Sequence, residues 1–219
     1  GGSVLAYQQG EVTRLMLVGG VTEGPVIELY RSSTGQRDGA GGTFVYPTEI
    51  PNEVPHQFFQ SVTSLGDNRF AMIGGVNWNG SGFESPSDGA ALILELIENG
   101  DGSARIGLVQ ALGGLGVGRY FHSAAAPAGN RLIVAGGFTG SDLTATASVV
   151  QLQFDAEGRP LGLAAPSSEE AFLPRGGMAT VLLDNDTILM AGGIEKQADL
   201  ESDQAGAIQV YTPSSLLPL

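Results

Sequence analysis

A Gly-Gly pair recurs four times in this chain, each time at the end of a short apolar run: RLMLVGG, RFAMIGG, RLIVAGG and TILMAGG. The pairs begin at Gly19, Gly74, Gly136 and Gly192, so successive pairs stand 55, 62 and 56 residues apart. A period of this size constrains the fold more than any local signal does. Units of a few tens of residues bury their apolar faces only by stacking on one another as a solenoid, propeller or array.

Upstream of each pair lies a second apolar run and a polar turn: SVLAYQQ then GEVTR, FFQSVTSL then GDN, HSAAAP then AGN, MATVLL then DND. Apolar run, turn, apolar run and Gly-Gly reads as a β-hairpin whose second strand ends where only glycine is tolerated. Gly19, Gly20, Gly74, Gly75, Gly136, Gly137, Gly192 and Gly193 are therefore expected to be structural. After a loop of variable length a third run follows, in PVIELY (25–30), AALILELI (90–97), ASVVQLQF (147–154) and AIQVY (207–211). A weaker fourth run closes the first three units, around TFVYPTEI (43–50), ARIGLVQAL (104–112) and RPLGLAAP (159–166). The repeats span approximately 1–54, 55–117, 118–173 and 174–219, the last one incomplete. AALILELIENG is the one stretch that could pass for a helix, and the register of the repeat makes it a strand.

These units resemble the kelch-repeat β-propeller family, particularly its bacterial extracytoplasmic members, over nearly the whole chain. The fourth, LPRGGMATVLLDNDTILMAGG followed by AIQVYTP, and the third, VGRYFHSAAAPAGNRLIVAGG followed by SVVQLQFD, carry the resemblance best. Tyr30 and Tyr211 stand at the family's tyrosine position and Phe154 substitutes there, while the tryptophan of the pattern is missing from every unit. The resemblance implies an all-β chain, a kelch-type β-propeller of four-stranded antiparallel blades with four repeats visible. Propellers of this kind usually close with six or seven blades. The 219 residues are thus expected to form part of a larger propeller, or to join another chain that completes it. A closed four-blade ring is the alternative, and it would place GGSV beside AIQVY.

Composition narrows the function. A formal charge of −13, from 10 basic and 23 acidic residues, repels phosphate backbones and argues against a nucleic-acid partner. No run of about 18 apolar residues spans a bilayer, and GGSVLAYQQG is not a signal peptide. Absence of cysteine excludes a disulfide framework. The resemblance and the acidic, Gly-Ser-Thr-rich character point to an extracytoplasmic location: periplasm, cell surface or secreted.

In a propeller of this kind, the loop leading into the first strand and the loop after Gly-Gly open on one face, where partners dock. That face would carry His56, Arg119, Tyr120 and Arg175 from the lead-in loops, with Asn77, Trp78 and Phe138 from the loops after the glycines. Guanidinium groups and aromatic rings beside an amide suit an acidic peptide or a sugar. The competing reading is that an arginine before the first strand bridges neighbouring blades. Trp78, in NWNGSGFESPSDG, is either a ligand platform or a lid over the hydrophobic edge.

Two histidines, His56 and His122, with no HExxH and no cysteine, do not make a zinc site. His122 in YFHSA is expected at the strand start, bonded to neighbouring backbone. Of the acidic turns ENGDGS, LDNDT and EKQADLESD, none follows the EF-hand pattern, and calcium needs six or more oxygens. Asp199, Glu201 and Asp203 are the weak calcium candidates, and no other metal or cofactor is expected. Copper chemistry like that of galactose oxidase requires a cysteine that is absent, and no sialidase turn, GxSxG or phosphate-binding loop occurs. No catalytic residue is assigned. The resulting expectation is a non-catalytic propeller that binds protein or builds an assembly. The alternatives are a carbohydrate-binding propeller, or a hydrolase or lyase whose residues are not identified.

Overall fold

The computed structural model describes residues 2–9, 11–19, 26–31, 44–45, 58–76, 80–82, 91–102, 104–112, 118–127, 131–139, 144–146, 149–155, 159–164, 173–183, 187–196 and 208–211. The hairpins form where the repeat places them. Sheet 1 consists of β1 (Ser3–Gln9), β2 (Val12–Val18), β3 (Val26–Arg31) and β4 (Phe44–Val45), hydrogen-bonded in that order. Sheet 2 repeats the meander with β5 (Ser61–Gly66), β6 (Arg69–Ile73), β7 (Ala91–Glu98) and β8 (Ala104–Leu112). In sheet 3, β9 (Ser123–Ala125) and β10 (Arg131–Ala135) are followed by the small ribbon of β11 (Phe138–Thr139) and β12 (Thr144–Ala145). The meander then resumes with β13 (Val149–Phe154) and β14 (Pro160–Ala164). Sheet 4 contains β15 (Gly176–Leu182), β16 (Ile188–Ile194) and β17 (Ile208–Tyr211). Every pairing is antiparallel and, among the described residues, there is no helix. The AALILELI segment is strand β7, as the repeat register requires.

Continuous apolar runs arise because the middle sheets are covered on both faces, so alternate side chains all meet a core. In β6, Phe70 and Met72 pack with Met16, Val18, Ile27 and Leu29 of sheet 1. Their neighbours Ala71 and Ile73 point the other way, into Leu132, Val134 and Leu152 of sheet 3. Sheet 3 repeats this, with Ile133, Ala135 and Val149 packed on Ile188 and Met190 of sheet 4. Each such Leu, Ile or Met buried contributes about 1.5–3 kcal/mol.

The first strands bring the sheets together: β1 packs on β5, β5 on β9 and β9 on β15. Among the described residues β15 makes no comparable contact with β1, so the series is open. Arg14, buried between sheets 1 and 2, reaches the far end of the β7–β8 hairpin. Its Nη1 donates to Glu98 Oε1 and its Nη2 to the Gly102 carbonyl, both at 3.3 Å. Gly102 N–H donates to the Asn99 carbonyl at 3.0 Å, so the acidic ENGDGS segment closes as a turn. No helix among the described residues is long and apolar enough to cross a membrane.

Candidate functional site

The stretches QFFQS (57–61), RYFHS (119–123) and RGGMA (175–179) hold equal places in sheets 2, 3 and 4. Ser61, Ser123 and Ala179 lie opposite Ile73, Ala135 and Ala191, the residues that precede the glycine pairs, and Ser3 lies opposite Val18. This common register sets a common joint between sheets. Ser3 Oγ donates to the Gln60 carbonyl at 2.5 Å, and Gln60 Nε2 returns a bond to the Val18 carbonyl at 2.7 Å. Ser61 Oγ lies 2.7 Å from His122 Nε2, and Thr180 Oγ1 donates to Ser123 Oγ at 2.5 Å. Every pair of neighbouring first strands is thus tied by a serine hydroxyl.

The glycine pairs form the second part of the joint. Gly75 N–H donates to the Arg119 carbonyl at 2.9 Å and Gly137 N–H to the Arg175 carbonyl at 2.8 Å, each glycine docking on the lead-in segment of the next sheet. The approach leaves no room for a side chain: a Cβ on Gly74 would overlap the Arg119 carbonyl oxygen of the next sheet and stand 2.8 Å from His122 Cε1. The guanidinium groups do something different. Arg119 Nη1 donates to the Gly136 carbonyl at 3.2 Å and Arg175 Nη1 to the Gly193 carbonyl at 2.9 Å, within their own sheets. The inter-sheet bridge is therefore made by the arginine main chain, while the side chain braces its own glycine turn. Arg119 is fully buried, and burial lowers its pKa to about 10, which leaves it charged at neutral pH.

A third element is aromatic. Phe59, Phe121 and Gly177, the residues two places before Ser61, Ser123 and Ala179, have φ of 58°, 55° and 76°. Phe121 N–H donates to the Phe59 carbonyl at 3.0 Å and Gly177 N–H to the Phe121 carbonyl at 2.8 Å, a ladder of bonds running from sheet to sheet. The two phenyl rings stack at 3.9 Å with an interplanar angle of 23°. Phe58, Tyr120, Phe138 and Val76 pack beneath them. A bulky residue in the left-handed region is a genuine outlier that its surroundings must enforce. Phe121→Gly should accordingly be more stable than Phe121→Ala by about 1 kcal/mol, the reverse of the usual order, because both lose the ring and only alanine keeps the strain. Urea unfolding of the two variants measures this, and an alanine variant as stable as the glycine one would remove the strain argument.

His122 completes the joint between sheets 2 and 3. Burial first, and the Arg119 charge second, lower its pKa to about 3, with the Arg119 main chain acting in the opposite direction. The ring is neutral at physiological pH; its Nε2 meets the Ser61 hydroxyl, and the neighbouring backbone that the sequence suggested is the Arg119 main chain. A Ser–His contact of 2.7 Å has the geometry of a nucleophile and base. A base with so low a pKa is poorly matched to proton abstraction near neutrality, and the equivalent contacts at Ser3 and Ser123 identify a repeated structural tie.

Of the residues singled out from the sequence, Arg119, Tyr120 and Phe138 are brought together, and all three are buried. Burial withdraws them from direct contact with a partner and makes them parts of the joint. Arg175 is half-buried and holds the next joint. His56, Asn77 and Trp78, and the calcium candidates Asp199, Glu201 and Asp203, lie outside the described residues. Among the described residues of this face, Phe121 is exposed, at 37%, and stacks on the half-buried Phe59. Their signal in the sequence is an aromatic dipeptide at the same offset before two glycine pairs, Phe58–Phe59 and Tyr120–Phe121. Among the described residues no group of three His, Asp or Glu could hold a metal ion. A cavity of about 10 Å³ between sheets 3 and 4, lined by Ser123, Ile133, Thr180 and Met190, is at the lower limit for a single water. No protein-family model matches this chain, and no curated protein matches it.

Proposed function

We propose that the chain is a sector of a kelch-type β-propeller serving as a non-catalytic protein-binding or structural module of an extracytoplasmic assembly. The observation that carries this reading is the repetition of one joint. Serine ties, glycine pairs docked on the following lead-in segment, and the Phe59–Phe121–Gly177 ladder all run from one sheet to the next in the same sense. Sheets that meet through their first strands by a repeated operation fit a radial array, whose strand edges are shielded by neighbours. Polar groups gathered at this face serve the scaffold, which supports binding over catalysis.

A partner protein is expected to stay bound to the immobilised chain through a high-salt wash and to leave Trp78 fluorescence insensitive to millimolar sugars. Saturable quenching of Trp78 by a sugar, with no retained protein, would instead favour the carbohydrate-binding reading. The Phe59–Phe121 stack is the feature in the structure that suits a sugar ring.

A further inference from the structure

Strands β7 and β8 are joined through Glu98, Asn99, Gly100, Asp101 and Gly102, all of them exposed. The bond from Gly102 N–H to the Asn99 carbonyl closes this turn, and Gly102, with φ of 77°, supplies the left-handed residue that the closure uses. Gly100 differs from it. Its φ lies outside the left-handed region, and nothing stands within 4 Å of the position a Cβ would take. Neither backbone conformation nor packing calls for a glycine there.

What the glycine changes is the chemistry of Asn99. With no Cβ on the following residue, the backbone nitrogen at 100 reaches the Asn99 carboxamide with the least obstruction. Among the described residues no hydrogen bond engages the Gly100 N–H, so this nitrogen is not committed elsewhere. Both residues are open to water, the other reactant required. We propose that Asn99 is a site of spontaneous deamidation, and that the isoaspartate formed there loosens the contact between sheets 1 and 2. The proposal is independent of the propeller reading.

In the first step the Gly100 nitrogen bonds to Asn99 Cγ, the carboxamide C–N bond breaks, and ammonia leaves carrying the proton that the Gly100 nitrogen gives up. The product is a five-membered succinimide. Water then adds to one of its two carbonyl carbons, the bond from that carbon to the ring nitrogen breaks, and the nitrogen regains a proton. Opening at Cγ gives aspartate, and opening at the main-chain carbonyl gives isoaspartate, whose backbone runs through Cβ and Cγ. Either product adds one negative charge. Only isoaspartate lengthens the chain, and the place of the turn makes that matter. Buried Arg14 holds Glu98 Oε1 and the Gly102 carbonyl, one acceptor on each side of Asn99–Gly100. An extra methylene between them changes the separation that the guanidinium spans, and a buried cation that loses an acceptor destabilises the fold.

The test uses the full chain with Asn79→Gln, so that the other Asn-Gly pair does not contribute. After incubation of the folded chain at physiological temperature and mildly alkaline pH, peptide mapping should show a gain of about 1 Da at Asn99. Its rate should lie within about tenfold of that of the synthetic peptide ENGDGSA under the same conditions. Gly100→Ala suits the backbone, so it should fold at least as stably as the parent and slow the gain by about tenfold or more. Aged chain enriched in isoaspartate, as read by isoaspartyl methyltransferase labelling, should unfold at a lower urea concentration than fresh chain. Fresh Asn99→Asp, which carries the charge without the extra backbone atom, should unfold where the parent does. A folded-chain rate more than about tenfold below that of the peptide, or equal rates for the parent and Gly100→Ala, would overturn the site. An unchanged urea midpoint in the isoaspartate form, or the same loss in Asn99→Asp, would overturn the link through Arg14.

Discussion

Gly74→Ala is expected to cost about 3–5 kcal/mol, enough to remove most of the stability of an ordinary domain. Two effects add. At φ of 60° an alanine carries left-handed strain of about 1–2 kcal/mol, and its Cβ would overlap the Arg119 carbonyl oxygen while standing 2.8 Å from His122 Cε1. The carbonyl is the one that receives the Gly75 N–H, so relief of the clash opens the joint between sheets 2 and 3. Gly192→Ala supplies the internal comparison, because its φ is 79° and nothing lies within 4 Å of its Cβ. That variant should lose only the conformational part, about 1–2 kcal/mol. Chemical denaturation of both decides the matter. Equal losses would mean that the close approach of neighbouring sheets contributes nothing.

The second large effect is a pH dependence traced to His122. In the folded chain its ring stays neutral down to a pKa of about 3, whereas in the unfolded chain it takes up a proton near the ordinary 6.5. Between these values the unfolded state binds more protons, so stability falls as pH falls from 6.5 towards 3 and is fully present above that window. The full span is worth about 5 kcal/mol at roughly 1.4 kcal/mol per unit. His122→Gln copies the residue that sheet 2 carries at the same place, Gln60, and removes the titration. Near neutrality it should cost about 1 kcal/mol through a less favourable bond to Ser61. At about pH 4 it should instead be more stable than the parent by about 2 kcal/mol, roughly 4–8 °C in Tm. Carboxylates affect both chains equally and cancel in the comparison. Parallel stability curves from pH 7 to pH 4 for the two chains would show that His122 is not the group responsible.

Much of the fold was readable because the chain states it four times. One RFAMIGG is an ambiguous apolar run, but the same hairpin before each glycine pair and the same strand after it leave the strand assignment little freedom. The prediction that the second strand ends at the glycines holds for Gly19, Gly74 and Gly136; in sheet 4, β16 runs on through Gly192 and Gly193 to Ile194. In sheets 2 and 3 the corresponding pairings are the isolated bridges Phe58–Val76 and Tyr120–Phe138, whereas Gly176 and Ile194 join the ladder. The β11–β12 ribbon had no counterpart in the repeat. It forms where the loop after Gly137 turns back, and Ala145 N–H donates to the Glu195 carbonyl of the next repeat at 2.9 Å.

The site was less legible. The sequence places Arg119, Tyr120 and Phe138 on one docking face, whereas in the structure they are buried, because a lead-in segment looks like any polar-aromatic loop until the next sheet covers it. Phe59 and Phe121 are hidden for a related reason: nothing in a sequence marks a phenylalanine as left-handed when the constraint comes from carbonyls of another repeat.

By itself the sequence determined the period, the strands and the places where glycine is required, since these follow from local turn chemistry and the alternation of apolar side chains. Only the tertiary structure decided which apolar faces are covered, which polar groups are consumed in joints and which His122 protonation state the fold tolerates. Those outcomes depend on contacts between residues some sixty positions apart, such as Ser61 with His122, and on the exclusion of water that such contacts impose.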